Sequence, residues 1–268
     1  MAVITGKDIY QFMDRFAPFD TQEDWDNAGF LVGRLEREVK KVMVAMDITE
    51  QVAQEAGAWG AELIISHHPV ILHESLNKVT DETVTGRILL ALTERGISAI
   101  CAHTNLDAAE GGVNTLLAQA LGLSGLELLQ KAGTDRFGRP YGIGRVGTAG
   151  QSGLSAGEYA ALIKETLGCA NVRYADAGRP VHRVAVGGGS CGSLMEEAIA
   201  ARCDTFVTAD LKHAHYLTAL AQGMNILDAG HFPTENLVCE PLAQRLRQEF
   251  PQLQVMVSQL HREPYASV

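Results

Sequence analysis

Two adjacent histidines, His67 and His68, stand at the head of a set of side chains suited to divalent cations. They lie in Ser66-His67-His68-Pro69, and two further polar clusters follow, His103-Thr104-Asn105-Leu106-Asp107 and His231-Phe232-Pro233-Thr234-Glu235. Adjacent residues on an extended segment point to opposite sides, and Pro69 biases His68 toward extended backbone. The two rings are therefore expected to diverge and to serve two ions rather than chelate one. Asp107 adds a hard oxygen ligand and His231 another imidazole. Glu235, near the start of a helix that Pro233 can open, offers two oxygens able to bridge. Imidazole and carboxylate donors without thiolate suit Zn, Fe, Mn, Co or Ni. Two such ions about 3.5–4 Å apart acidify a shared water and polarise a substrate oxygen, which is chemistry for hydrolysing an amide, a cyclic amidine or a phosphate-like group. Any one of these histidines alone reads as an ordinary cap or turn residue. Their recurrence after three separate strands favours the metal.

Those strands come from a pattern of alternating elements. Thr5 can cap a first helix with Ile9, Phe12, Met13 and Phe16 on one face, ended by Pro18. A strand over 40–48 leads to Thr49 and a helix through Ala58, then to a buried strand over 62–66 that ends at the paired histidines. A helix around 84–95, a strand over 97–103 and a helix around 113–121 complete a first βα block, as expected for a largely parallel, helix-covered sheet. From 182 the plan recurs: HRVAVGGG parallels KKVMVAMD, and NILDAGHFPTENLVCEPLAQRL parallels AICAHTNLDAAEGGVNTLLAQAL. The fold class is therefore α/β, two related halves with mainly parallel or mixed sheets facing a central metal cleft. The expected boundaries are 1–125 for the first half, 126–180 for a connecting strand-helix segment, and 181–268 for the second half.

Composition narrows the remaining classes. No apolar stretch is long enough to cross a bilayer, and the N-terminus has no signal-peptide pattern, which points to the cytoplasm. Five scattered cysteines without a CxxC pair fit reduced thiols rather than disulfides or a zinc knuckle. A net charge of −10 opposes direct binding to nucleic acid. Gly187, Gly189 and Gly192 spell GxGxxG, the fingerprint of a dinucleotide-binding turn, whose plainer reading is a tight strand-to-helix turn. Cys191 and Cys101 read as core thiols. His73, His182 and His261 read as surface or turn residues, and His215 as part of a helix. No GxSxG, Walker A or HExxH motif occurs.

The stretches WDNAGFLVG (25–33), IISHHPVI (64–71), AHTNLDAAEGGVN (102–114), VTADLKHAH (207–215) and DAGHFPTE (228–235) resemble the Nif-three-like dinuclear metal centre family, whose bacterial members are often labelled GTP cyclohydrolase I type 2 homologues. The resemblance runs from about residue 5 to 250. It implies a toroidal homohexamer and a site in which His67 and Asp107 bind one metal, His68 and His231 the other, and Glu235 bridges. Some relatives insert a domain between the halves, and this chain is too short in the middle for one. The label implies a small, nucleotide-like substrate. For proton transfer on it, His103, Asp210 and His213 are the nearest candidates, with orientation of metal ligands as their alternative role. Lys212 or Arg139 would assist a phosphate, and Asp26 and Asn27 would line the cleft or form an Asx turn. A non-catalytic metal-handling protein and a scaffold for protein partners are the competing functions.

Overall fold

Thr5 opens the first helix as its spacing predicts. Its side chain accepts the Asp8 backbone N–H while the Asp8 carboxylate reaches back to the Thr5 N–H, a reciprocal cap. The computed structural model describes residues 3–72 and 76–267, so His73 lies outside the described residues. In chain order the first elements are α1 (Gly6–Phe16), β1 (Gly29–Val32), β2 (Lys41–Ala45), α2 (Glu50–Trp59), β3 (Leu63–Ser66), α3 (Val84–Glu94), β4 (Ser98–Cys101) and α4 (Thr104–Ala108). Then come α5 (Val113–Ala120), β5 (Leu123–Leu128), β6 (Gly133–Thr134), β7 (Pro140–Tyr141), β8 (Arg145–Ala149), α6 (Ala156–Leu167) and β9 (Arg173–Ala175). The last are β10 (Arg183–Val186), α7 (Met195–Ala200), β11 (Thr205–Thr208), α8 (His213–Ala221), β12 (Asn225–Asp228), α9 (His231–Glu235), α10 (Cys239–Glu249) and β13 (Gln254–Val257).

Contacts divide the chain into two units. One runs to Leu106 and takes back Val238–Arg262; the other comprises Asp107–Leu237 and the segment from Glu263. These limits differ from the boundaries expected near 125 and 181. The middle stretch is no connector: β5 and β8 pair with each other and β8 pairs antiparallel with β10, so they are strands of the second unit's own sheet. Its glycines and breakers suggest linkage in sequence, but backbone pairing decides membership. The last strand, β13, instead pairs parallel with β2 and belongs to the first unit.

In the first unit the strands order as β1-β4-β3-β2-β13, all parallel except β1. Met43, Ala45, Ile64, Ala99 and Cys101 form one apolar layer with Val52, Ala53 and Ala56 of α2 and Ile88, Leu89 and Leu92 of α3. The alternate strand residues Val42, Val44, Leu63, Ile65 and Ile100 are buried as well, and α10 packs on β2 and β13. A sheet buried on both faces needs near-continuous apolar strands, which explains runs such as KVMVA and LIIS.

The second unit repeats this plan around β10, β11 and β12, within the order β5-β8-β10-β11-β12-β9. Val184, Val186, Val207 and Leu227 pack with α5 and α6 through Leu117, Ala118, Tyr159 and Ile163. Ala185, Phe206 and Ile226 pack on the other side with Met195, Ala198 and Ala219. The parallel triplets β2-β3-β4 and β10-β11-β12 are the internal repeat seen in the sequence. Each sends the carboxyl ends of three strands into polar loops, the usual position of ligand sites in open α/β sheets.

Candidate metal centre

In the first unit, backbone pairing continues just past β3: the His67 N–H donates to Ala45 O at 3.2 Å and the His68 N–H to Met46 O at 3.0 Å. The chain then bends, with Ser66 Oγ donating to His68 O at 2.8 Å. With this bend the divergence expected of the two rings is partial. The imidazole centroids lie 5.0 Å apart and tilted by 47°, and potential ligand atoms of His67, His68 and His103 all fall within 4.8 Å of one another.

Each ring is held through Nδ1. His67 Nδ1 meets Ala102 O at 2.9 Å, His68 Nδ1 meets Asp47 Oδ1 at 2.8 Å, and His103 Nδ1 meets Asp26 Oδ1 at 2.9 Å. A carbonyl or an ionised carboxylate can only accept, so the Nδ1 atoms carry the protons and Nε2 is left as the basic atom. That is the usual arrangement behind a metal-ligating histidine.

Asp26 is the more deeply built of the two carboxylates. Its side chain is wholly buried, and burial alone would raise its pKa. Hydrogen bonds from His103 and Thr104 outweigh that and hold it down at about 2. Asp26 thus supports His103 and the start of α4, while Asn27 Nδ2 donates to Ile71 O at 2.6 Å.

The second unit builds its cluster differently. Gly230 caps α9, and His231 and Glu235 fall four residues apart on one face, with His231 Nε2 3.1 Å from Glu235 Oε2. Pro233 does not open this helix but sits third within it, which is tolerated because first-turn N–H groups have no intrahelical acceptor. Asp210, at the end of β11 in the left-handed region (φ 53°), places Oδ2 2.7 Å from His231 Nδ1. Asp228 accepts the Leu211 N–H at 3.1 Å and the Gly230 N–H at 3.2 Å, tying together the two loops that carry Asp210 and His231.

Asp107 and Glu235 are both buried, with carboxylate oxygens within 4.8 Å of each other. Two buried groups hold them in register. Asn114 donates to Asp107 O at 3.1 Å and accepts the Gly188 N–H at 2.8 Å. Arg145 donates to Ala108 O at 3.2 Å and Ala109 O at 3.1 Å, and also to Gly142 O and Gly144 O. Burial lowers the Arg145 pKa while Glu110 and Asp107 oppose that shift.

The glycine run after β10 belongs to this cluster. A Cβ on Gly189, whose φ is +61°, would fall onto Glu235 Oε1. The loop's N–H groups are also engaged: Gly188 with Asn114, Gly189 with Thr234 Oγ1 at 2.9 Å, and Cys191 with Thr208 Oγ1 at 3.1 Å. A phosphate-binding turn needs those donors, so the plainer reading of GxGxxG holds. Burial, with Asp107 and Glu235 nearby, pushes the Cys191 thiol far up, away from thiolate chemistry.

The sequence-predicted residues thus fall into two sets. His67, His68 and His103 come together in the first unit; Asp107, Asp210, His231 and Glu235 do so in the second. His213 does not join either set: it is exposed at the first position of α8. The Arg139 guanidinium pairs with Asp135 at 2.8 Å, and Lys212 is exposed. His182 is exposed and His215 lies in α8. The His261 ring is partly buried and accepts the Met46 N–H at 3.0 Å, a structural role rather than a surface one. Sequence reasoning missed Asp47, Asn114, Arg145 and Asp228. The strand-end rule that found the histidines also covers Asp47 and Asp228, whereas nothing local marks Asn114 or Arg145. The donor set, imidazoles presented by Nε2 beside buried carboxylates, fits a divalent metal.

Comparison with known proteins identifies the family. A protein called GTP cyclohydrolase 1 type 2 homolog from Clostridium perfringens is 32% identical over 260 residues, 96% of this chain and 97% of the relative. One of the same name from Streptomyces coelicolor is 36% identical over 237 residues, 87% and 82% of the two chains. The crystal structure of Staphylococcus aureus hypothetical protein SA1388 superposes with a TM-score of 0.92 at 27% identity, covering 100% of both chains. The family model for Duf34/NIF3 (NGG1p interacting factor 3) matches residues 4–264, and the chain belongs to that family.

Proposed function

We propose that the chain holds two divalent metal ions and works as a metal-dependent hydrolase of a small, nucleotide-like substrate. In this reading His67 and Asp107 serve one ion, His68 and His231 the other, and Glu235 is shared. The observation that carries it is the common orientation of the imidazoles. His67, His68, His103 and His231 each turn Nδ1 to an oxygen acceptor, which fixes the ring and leaves Nε2 as the donor atom. The names of the relatives support a cyclohydrolase-like activity.

Bound ions would supply Lewis acidity toward a substrate oxygen and toward water. The chain's own residues do the rest. Asp47, Asp26 and Asp210 orient His68, His103 and His231, and Asn114 and Arg145 hold the Asp107 segment. His103, half-buried and fixed by Asp26, is the group placed to move a proton through Nε2. Asp210 acts by orienting His231, and exposed His213 has no part in the proposed chemistry.

Changing His68 or Glu235 to Ala should remove most bound metal, measured by elemental analysis after gel filtration, together with turnover of GTP, cyclic amides or phosphoesters. Full activity in a metal-free preparation would refute the hydrolase. A second reading, metal handling without catalysis, is favoured by the placement of Asp210 and His213, which reduces the surplus of acids and bases to His103. Tight stoichiometric metal with no turnover across that screen would select it. We further propose the toroidal homohexamer implied by the family, which a sedimentation mass near that of a monomer would exclude.

A further inference from the structure

Trp25, on the loop that enters β1, is 52% exposed while its indole makes a T-shaped contact with the His103 imidazole. The ring centroids are 5.7 Å apart and the planes meet at 78°. The same imidazole lies 5.2 Å from the ring of His67 and 5.5 Å from that of His68. A large flat apolar side chain thus stands in solvent at the border of the first unit's histidine cluster.

The loop holds the indole there. The next side chain, Asp26, is wholly buried and is bonded to the His103 ring and to the Thr104 N–H and hydroxyl. Thr104 Oγ1 accepts the Glu23 N–H at 2.9 Å, the Asp26 N–H donates to Glu23 O at 2.9 Å, and Asn27 Nδ2 donates to Ile71 O. Trp25 is therefore anchored on both sides, so its exposed surface is set before any ligand arrives and little ordering entropy is lost on binding. An indole offers a π face on which another flat ring stacks, and a heteroaromatic base is the natural occupant of such a platform. An organic cation is a poorer match, because aromatic cages for cations use several faces and the ring beside Trp25 is a basic imidazole.

We propose that Trp25 is the stacking platform for a planar heteroaromatic ring of the substrate, a purine-like base, which it seats beside His103. The inference rests on the reading of the site as a hydrolase of nucleotide-like compounds and makes Trp25 a specificity-determining residue of that site.

Fluorescence tests it, because the chain has two tryptophans and the other is remote. Trp59 ends α2 and lies under Lys41, the first residue of β2, so it sits at the amino ends of the parallel strands, away from the histidines. Trp59→Phe therefore leaves Trp25 as the reporter. In zinc-saturated Trp59→Phe, guanosine 5′-monophosphate should quench the emission saturably, and ribose 5-phosphate, which lacks the base, should not. By calorimetry the nucleotide should bind at least about tenfold more tightly than ribose 5-phosphate. Trp25→Ala should erase that preference with zinc content unchanged, and Trp25→Phe should keep it. Equal affinities, no quenching, a preference that survives Trp25→Ala, or an indole that acrylamide cannot reach because a second copy covers it would each overturn the proposal. Zinc retained without a base preference defeats the stacking alone. A base preference in protein that takes up no zinc defeats the metal reading and leaves the stacking standing. The quenching decides the matter if Trp25→Ala fails to fold.

Discussion

The histidine cluster of the first unit and the α9 cluster of the second occupy equivalent strand ends but are stabilised by different means. In the first, His67, His68 and His103 are held by side chains and carbonyls from loops far apart in sequence: Asp47, Asp26 and Ala102. In the second, His231 and Glu235 share one short helix, and close backbone approach by the glycine loop supplies the support. Ring direction in the first unit therefore depends on acceptors brought in from distant loops, one of them the buried Asp26 carboxylate. In the second, Asp210 orients His231 while the glycine loop leaves steric room for Glu235.

Substitutions should separate these two modes of support, and the largest effect is expected at Gly189. Gly189→Ala places a methyl on the Glu235 carboxylate and forces a side chain into the left-handed region. We expect a loss of roughly 2–4 kcal/mol, combining backbone strain with the shift of Glu235. Denaturant unfolding measures it, and the comparison fails if the variant is as stable as wild type.

Next comes Arg145→Met, which removes the donor to four carbonyls around the Asp107 segment. A cost on the order of 2–4 kcal/mol follows from leaving buried acceptors unsatisfied. Metal content should fall with it, since Asp107 loses its support. A variant with full stability would show that Arg145 is dispensable.

Asp26→Asn should cost about 1–3 kcal/mol, the range for a charge-assisted hydrogen bond to a buried group. The pH dependence follows from the lowered pKa of Asp26. Its stabilisation is complete above the unfolded carboxylate value of about 4 and is lost as pH falls through about 2. The acid limb between those values should flatten in Asp26→Asn. An unchanged limb would assign acid sensitivity elsewhere.

Asp210→Asn is expected to be the mildest. Asp210 is exposed and its partner His231 is partly so, which keeps the stability change below about 1 kcal/mol, although metal affinity should weaken because the ring loses its orienting acceptor. A destabilisation as large as that of Asp26→Asn would remove the distinction between the two clusters.

Much of the site was legible because strand ends have a local signature. Ser66-His67-His68-Pro69 after LIIS and Gly230-His231 after NILD place polar residues where buried β runs stop, and periodicity finds those stops. The bend at His67–His68 was not legible. It depends on Ser66 Oγ reaching His68 O, a choice between hydrogen bonds that no propensity encodes. The 126–180 stretch, which reads in sequence as a strand-bearing connection, joins the second unit's sheet for a related reason. Strands β5 and β8 are glycine-flanked, and their pairing with each other and with β10 assigns them to that sheet.

Residue types and spacing by themselves determined the α/β class, the repeated strand triplet and the roster of candidate His, Asp and Glu ligands, because helix and strand periods and ligand chemistry are local properties. Tertiary structure decided which nitrogen each imidazole presents, that Gly189 makes room for Glu235, and that Asn114 and Arg145 support Asp107. Those outcomes depend on hydrogen bonds and close approaches between residues distant in sequence, whose partners exist only once the backbone has folded.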